Sequence, residues 1–80
     1  MLARVFVTLK PGVLDPAGKA VEGSLHSLGY SEVGEVRLGK YLELKLDEKD
    51  PARAKARAEE MCRKLLANTV VENFRVELVG

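Results

Sequence analysis

Cysteine, histidine and tryptophan are nearly absent from this chain of 80 residues, which has one, one and none of them, respectively. A lone cysteine cannot form a disulfide within the chain, and no spacing of histidine and cysteine supplies the ligands of a metal site. A chain this short buries only about 60% of the surface that it exposes when unfolded. We therefore expect one domain, residues 1–80, that gains further stability by self-association or by docking on a larger partner.

Excess charge, aromatic residues and long apolar runs are also lacking. The chain has 13 basic and 12 acidic residues, a net charge of +1, whereas nucleic-acid-binding proteins usually carry a basic excess. Proteins bind single-stranded RNA by stacking its bases on aromatic side chains. This chain has only four aromatic residues: Phe6, Tyr30, Tyr41 and Phe74. No apolar run approaches the roughly 20 residues of a membrane span. We expect no nucleic-acid partner, no membrane partner and a cytoplasmic location.

The hydrophobic pattern predicts six elements in the order β-α-β-β-α-β. Their approximate positions are a strand over 3–9, a helix over 15–28, strands over 31–40 and 41–46, a helix from Asp50–Pro51 to Asn68, and a strand over 70–79. Gly39 and Lys40 lie between two apolar runs, which suggests a hairpin there. The pattern predicts an α+β fold of the ferredoxin-like kind, with two helices on one face of a four-stranded, mainly antiparallel sheet.

The segment from Lys10 to Gly18 is a tightly specified junction between strand and helix. Pro11 offers no N–H to a strand ladder, and Gly12 can adopt a positive φ. Asp15 is a good helix cap before a proline at the first helical position. A phosphate cradle at this helix end is a weaker interpretation, because Asp15 would repel the anion and the glycine spacing matches no phosphate-binding motif.

Catalytic groups do not form a constellation in the sequence. His26 is more typical of a structural histidine than of a metal ligand. Cys62 falls on the predicted apolar stripe of the second helix, which consists of Ala54, Ala58, Met61, Cys62 and Leu65, with Leu66 at its edge. The acidic pairs lie on predicted turns or solvated helix faces, so nothing places two carboxylates across a cleft. From these residues alone, the chain is interpreted as a small interaction domain.

Four segments together carry a resemblance to a known family. They are Lys10 to Pro16, Val36 to Lys40, Cys62 to Asn68, and Val71 to Phe74. This ordered set resembles the PurS family, the small subunits of phosphoribosylformylglycinamidine synthase in purine biosynthesis. The resemblance runs through nearly the whole chain, and no single segment of it is specific by itself.

The resemblance implies a role without catalysis. In such complexes a glutaminase subunit releases ammonia, and a large synthetase subunit uses ATP to install it on formylglycinamide ribonucleotide. The small subunit binds both of them, assists the transfer and forms a homodimer or a higher oligomer. ATP and magnesium are then expected on the synthetase, with no cofactor bound by this chain.

Nine residues are the resulting candidates for contact with partner subunits: Lys10, Pro11, Gly12, Asp15, Arg37, Gly39, Lys40, Asn68 and Glu72. A structural role as strand breaker, hairpin bend or helix stop is the favoured interpretation of Gly12, Gly39 and Asn68. Backbone geometry does not require Lys10 or Lys40. A second function stays open, namely a ferredoxin-like regulatory module that binds a small effector molecule between subunits.

Overall fold

The computed structural model describes all of residues 1–80 and contains three strands and two helices. The elements are β1 (Leu2–Leu9), α1 (Pro16–Ser27), β2 (Gly39–Lys45), α2 (Pro51–Met61), a π-helical turn (Cys62–Leu66) and β3 (Glu72–Val79). Both β2 and β3 pair antiparallel with β1, in the order β2-β1-β3. The predicted α+β class is confirmed, with a sheet of three strands in the single chain.

The core lies between one face of this sheet and α2. Alternation in β1 points Ala3, Val5 and Val7 to that face, where all three are fully buried. On α2, the small side chains of Ala54 and Ala58 are also fully buried, because a helix with small residues can approach the sheet closely. The core is completed by Cys62, Ala67 and Val76. Only one of the two helices therefore covers the sheet.

The fourth strand and its hairpin, predicted for residues 31–40, were wrong. Residues 31–38 have no strand partner, and β2 runs without reversal from Gly39, which pairs with Thr8, to Lys45. A Cβ on Gly39 would overlap the Val7 carbonyl oxygen, so this glycine is required by close strand approach instead of by a turn. The prediction was wrong because a glycine between two apolar runs is typical both of a hairpin turn and of a close approach between two strands.

The position expected for α1 on the sheet was also wrong. No α1 residue belongs to the core, Val21 and Leu28 are 38% and 73% exposed, and only Gly18 of this helix is buried. Instead α1 lies beside residues 30–38, where the His26 ring Nε2 is 2.7 Å from the Val33 carbonyl oxygen. We call residues 13–38 the arm. The molecule measures 48 × 26 × 14 Å, and its radius of gyration of 15.8 Å exceeds the roughly 12 Å of a compact chain of this length.

The end of the second helix corrects one further expectation. Leu65 belongs to the predicted apolar stripe but is 83% exposed, whereas Leu66 is half-buried against the core. The π-helical turn closes with Ala67 N–H donating to the Cys62 carbonyl oxygen at 2.9 Å. Because such a turn holds more residues than an α-helical one, it rotates the following side chains off the stripe.

Gly18 and Gly23 give a matched test of packing within the arm. A Cβ at Gly18 would overlap the Val36 carbonyl oxygen and the Asp15 carboxylate, whereas a Cβ at Gly23 would meet nothing. We expect Gly18→Ala to lower the free energy of unfolding by about 1–3 kcal/mol through overpacking. Gly23→Ala should raise it by about 0.5–1 kcal/mol, because alanine favours a helix interior. Urea unfolding of both variants checks this, and equal effects would contradict it.

Candidate contact surface

The nine predicted residues lie at or beside one end of the sheet. The last residue of β1, Leu9, pairs with Glu72 at the start of β3, and Thr8 pairs with Gly39 at the start of β2. The ends of all three strands therefore meet at this edge, together with the turns that leave it. We call residues 10–15, 37–40 and 68–72 the contact end. The sequence could not show this convergence, because it depends on the strand order.

Arg37 holds the turn that follows β1. Its Nη1 donates to the Val13 carbonyl oxygen at 3.1 Å, and its Nη2 donates to the carbonyl oxygens of Lys10 at 3.1 Å and Leu9 at 3.4 Å. The flat guanidinium suits this task, since its several N–H groups can serve neighbouring acceptors at once. The donors of Arg37 are therefore used inside the chain.

Asp15 secures the other side of the same junction. Its Oδ1 accepts from Gly18 N–H at 2.9 Å, which confirms the predicted helix cap, and its Oδ2 accepts from Leu38 N–H at 2.8 Å. The residue is only 5% exposed. These two hydrogen bonds, from Leu38 first and then Gly18, together with the charge of Arg37, hold the pKa of the Asp15 carboxyl below its usual value. This carboxylate occupies the helix end that an anion would need.

Asn68 and Glu72 close the turn that leads into β3. Asn68 N–H donates to Glu72 Oε1 at 2.7 Å, and Glu72 N–H donates to the Asn68 carbonyl oxygen at the same distance. The Asn68 side chain accepts from Val70 N–H at 3.2 Å. Both side chains therefore satisfy backbone groups of their own turn.

Lys40 has a structural role that the sequence did not reveal. Its Nζ donates to the Leu66 carbonyl oxygen at 3.1 Å, across 26 positions in the chain. The cation lies where the second helix ends and carbonyl groups lack helical partners, so it is favourably placed against the helix dipole. Lys40 therefore has a long-range contact within the chain that no local pattern in the sequence indicates.

Pro11 and Gly12 are exposed and Lys10 is half-buried, and no side chain among them forms a hydrogen bond or an ion pair within the chain. The main-chain N–H of Lys10 donates to the Val71 carbonyl oxygen at 2.8 Å, but its ammonium has no hydrogen-bond or ion-pair partner. It borders a shallow cavity of about 220 Å³ that Thr69 and Asn73 also line. Gly12 has φ +85°, which confirms its predicted turn role.

Sequence reasoning missed two exposed apolar side chains at the contact end. Leu14 is 71% exposed and Val70 is 80% exposed. In the sequence, the one indication that these two side chains are exposed is that neither falls on the apolar stripe of a helix. Apolar side chains that are exposed at one end of a small domain are a common feature of surfaces that contact another protein.

Groups for metal chemistry and membrane insertion are not assembled in this structure. No cluster of three or more histidine, cysteine, aspartate or glutamate side chains is placed to hold a metal ion. No helix is long and apolar enough to cross a membrane. Cys62 is a core residue, and burial raises the pKa of its thiol.

The fold and the contact end define a small α+β interaction domain. Most polar side chains at the contact end form hydrogen bonds with the backbone of the chain itself. The family model for PurS, described as phosphoribosylformylglycinamidine (FGAM) synthase, matches residues 2–80. The PurS subunit of that synthase from Synechocystis is 53% identical over 77 residues, which are 96% of this chain and 77% of the relative. The subunit from Bacillus subtilis is 51% identical over 94% of this chain and 88% of its own.

Solved structures agree with this match. Bacillus subtilis PurS superposes with a TM-score of 0.87 at 49% identity, covering 99% of this chain and 98% of that one. A chain in the structure of PurLQS from Thermotoga maritima matches with a TM-score of 0.85 at 28% identity, over 99% of each chain. The chain therefore belongs to the PurS family. Members of this family are subunits of FGAM synthase, a ligase of purine biosynthesis, and are not catalytic on their own.

The Asp15 carboxylate makes the stability of the junction depend on pH. Its folded-state pKa lies below the unfolded value, so its stabilising effect is complete above the unfolded pKa and is lost as the pH falls through the folded one. We expect Asp15→Asn to be less stable than the wild type at pH 7, with a difference that shrinks from about pH 5 towards pH 2. Urea unfolding across this range measures it.

Asp47→Asn is the control for this pH dependence. Asp47 is exposed and makes no side-chain hydrogen bond or ion pair. It should give nearly the same unfolding free energy as the wild type at every pH. A difference between the wild type and Asp15→Asn that stays constant over the acid range would contradict the role given to the charge.

Proposed function

We propose that this chain is the small subunit that bridges a glutaminase subunit and an ATP-dependent synthetase subunit of FGAM synthase. In this role it assists the transfer of ammonia that converts formylglycinamide ribonucleotide into formylglycinamidine ribonucleotide. Membership of the PurS family is the observation that carries the proposal, and the match to a chain of PurLQS supports it. ATP and magnesium belong to the synthetase in this scheme, which operates in the cytoplasm.

A bridging role suits a domain without reactive groups. Ammonia that escapes into water at neutral pH is protonated and lost as a nucleophile, so two active sites that exchange it must be aligned and sealed from solvent. To align two active sites, a subunit needs a rigid and fixed shape, and it does not need reactive groups of its own. The hydrogen bonds of Asp15 and Arg37 supply that rigidity at the contact end.

We infer that the nine candidate residues form two groups, one that contacts a partner subunit and one that holds the first group in place. Lys10, Pro11 and Gly12 are free to meet a partner subunit, with Leu14 and Val70 beside them as apolar contacts. The remaining members hold these residues in place through their hydrogen bonds or through close strand packing: Asp15, Arg37, Gly39, Lys40, Asn68 and Glu72. We infer that this end contacts a partner and that copies of the chain also associate with one another.

The alternative of a small-molecule-binding regulatory module is not favoured, because the family match points to a synthase subunit. A regulatory module would gain thermal stability in the presence of its effector by mass action. A thermal-shift screen with nucleotides and amino acids that gave no stabilisation would agree with the bridging role.

Reconstitution of the complex tests the bridging role directly. We expect the two larger subunits to make formylglycinamidine ribonucleotide from glutamine only when this chain is added. With an ammonium salt in place of glutamine, the synthetase should work whether or not the chain is present. A full glutamine-dependent rate from the two larger subunits alone would overturn the proposal.

Lys10→Ala tests the contact end. Because its ammonium has no partner within the chain, the substitution should leave the unfolding free energy within about 0.5 kcal/mol of the wild type. We expect it to weaken co-purification with the larger subunits by about three- to tenfold. Lys55→Ala, on the exposed side of α2, is the matched control and should not weaken it. Equal binding by both variants would remove Lys10 from the interface.

A further inference from the structure

The outer edge of β3 is open. The sheet has the order β2-β1-β3, so only one side of β3 has a strand partner. The hydrogen bond from Lys10 N–H to the Val71 carbonyl oxygen fixes the alternation of the β1–β3 ladder. The backbone groups of residues 73, 75 and 77 therefore point to β1. The outward-facing N–H and C=O groups belong to Phe74, Val76 and Leu78.

Nothing in this edge opposes the addition of another strand. Natural edge strands are usually protected by shortness, by proline, by a bulge or by a charge that points inward. The strand β3 has 8 residues, pairs with β1 in unbroken register and contains no proline. The three residues with outward-facing backbone groups have apolar side chains that pack in or against the core. An unprotected edge of this kind is a template for strand pairing.

Two shallow cavities adjoin the first residues of this edge. A cavity of about 300 Å³ is lined by Phe6 and Arg75 on the face of the sheet away from α2. The cavity of about 220 Å³ beside Lys10 belongs to the contact end. Asn73 and Phe74, whose side chains point to opposite faces of the sheet, line both cavities. Successive side chains of an added strand also point to opposite faces, so neighbouring side chains can enter the two cavities.

The charge at the start of this edge favours an acidic partner. Lys10 Nζ has no hydrogen-bond or ion-pair partner within the chain. Glu72, which lines the same cavity, accepts from Asn68 N–H through Oε1 at 2.7 Å. In the other cavity the Arg75 guanidinium carbon lies 4.4 Å from the centre of the Phe6 ring. A carboxylate from another molecule therefore meets an unpaired cation at this point.

A second copy of the chain suits this edge less well than a different molecule does. Antiparallel copies of β3 can set Arg75 opposite Glu77, which agrees in charge. That register sets Leu78 opposite Phe74, however, and supplies no carboxylate to Lys10. The sheet also has a second free edge at β2, and copies that paired through both edges would join without end.

We propose that an extended segment of one of the two larger subunits adds to β3 as a further strand. Its backbone pairs with Phe74, Val76 and Leu78, and an aspartate or glutamate of the segment binds the Lys10 ammonium. Main-chain hydrogen bonds of this kind supply affinity, and the pockets beside them supply specificity. The inference rests on the proposed bridging function and deepens it, because it states where a partner binds and through which groups.

Hydrogen exchange separates this strand addition from the bridging function. In the isolated chain, the amides of Phe74, Val76 and Leu78 should exchange fast, whereas those of residues 73, 75 and 77 should be slow. Assembly with the larger subunits should slow exchange at the three outward amides by at least about tenfold. If the chain restores glutamine-dependent synthesis and these amides stay unprotected, strand addition is overturned and bridging stands. Failure of the three subunits to assemble would overturn both.

Methylation of the Val76 backbone nitrogen tests the edge and leaves the β1–β3 hydrogen bonds in place. Cys62 is the only cysteine, so a synthetic peptide of residues 62–80 can be ligated to residues 1–61 at that position. The methyl group removes an outward donor and blocks a neighbouring strand. Binding to the larger subunit that supplies the segment, with each of the two measured in turn, should weaken by at least about tenfold.

N-methylation of Gly80 is the matched control, because this residue follows the last residue of β3. The control should bind as the unmodified chain does, and circular dichroism should show the same fold for both methylated chains. Equal binding of the two methylated chains to the larger subunits would overturn the proposal. A loss of self-association without a loss of partner binding would also overturn it, because the occupant of the edge would then be a second copy.

Discussion

Two side chains of opposite charge, Asp15 and Arg37, fix the junction between the sheet and the arm. Asp15 accepts hydrogen bonds from Gly18 N–H and Leu38 N–H, and Arg37 donates to carbonyl oxygens on the turn that follows β1. Without them, the Val13 carbonyl oxygen and the N–H groups of Gly18 and Leu38 would lose these partners inside the chain. The direction of the arm, the exposed face of α1 and the shape of the contact end all depend on this junction.

Most polar side chains at the contact end are committed to the backbone of the chain itself. Lys40 binds the end of the second helix, and Asn68 and Glu72 close the turn before β3. Residues engaged in this way are poorly suited to acid–base chemistry, since that requires groups near a substrate with free protons or lone pairs. They do give the end a fixed shape, which is what a subunit that aligns other active sites requires.

Local patterns in the sequence were enough to predict several features. Asp15 followed by Pro16 predicted the start of α1, and alternation over residues 3–9 predicted the strand β1. The hairpin at Gly39 was wrong, because a glycine forced by close strand approach leaves the same pattern as a turn. Leu65 was misplaced because no local signal marked the π-helical turn that rotates it out of the stripe.

The sequence by itself determined the approximate positions of the three strands and two helices that form, where α1 is capped and which family the chain resembles. Only the tertiary structure decided that α1 leaves the sheet, and that Lys10 is free whereas Lys40 and Arg37 are not. The physical reason is the range of the interactions. A helix cap joins residues three positions apart, but the hydrogen bonds of Arg37 and Lys40 cross 24 to 28 positions and depend on how the strands are arranged.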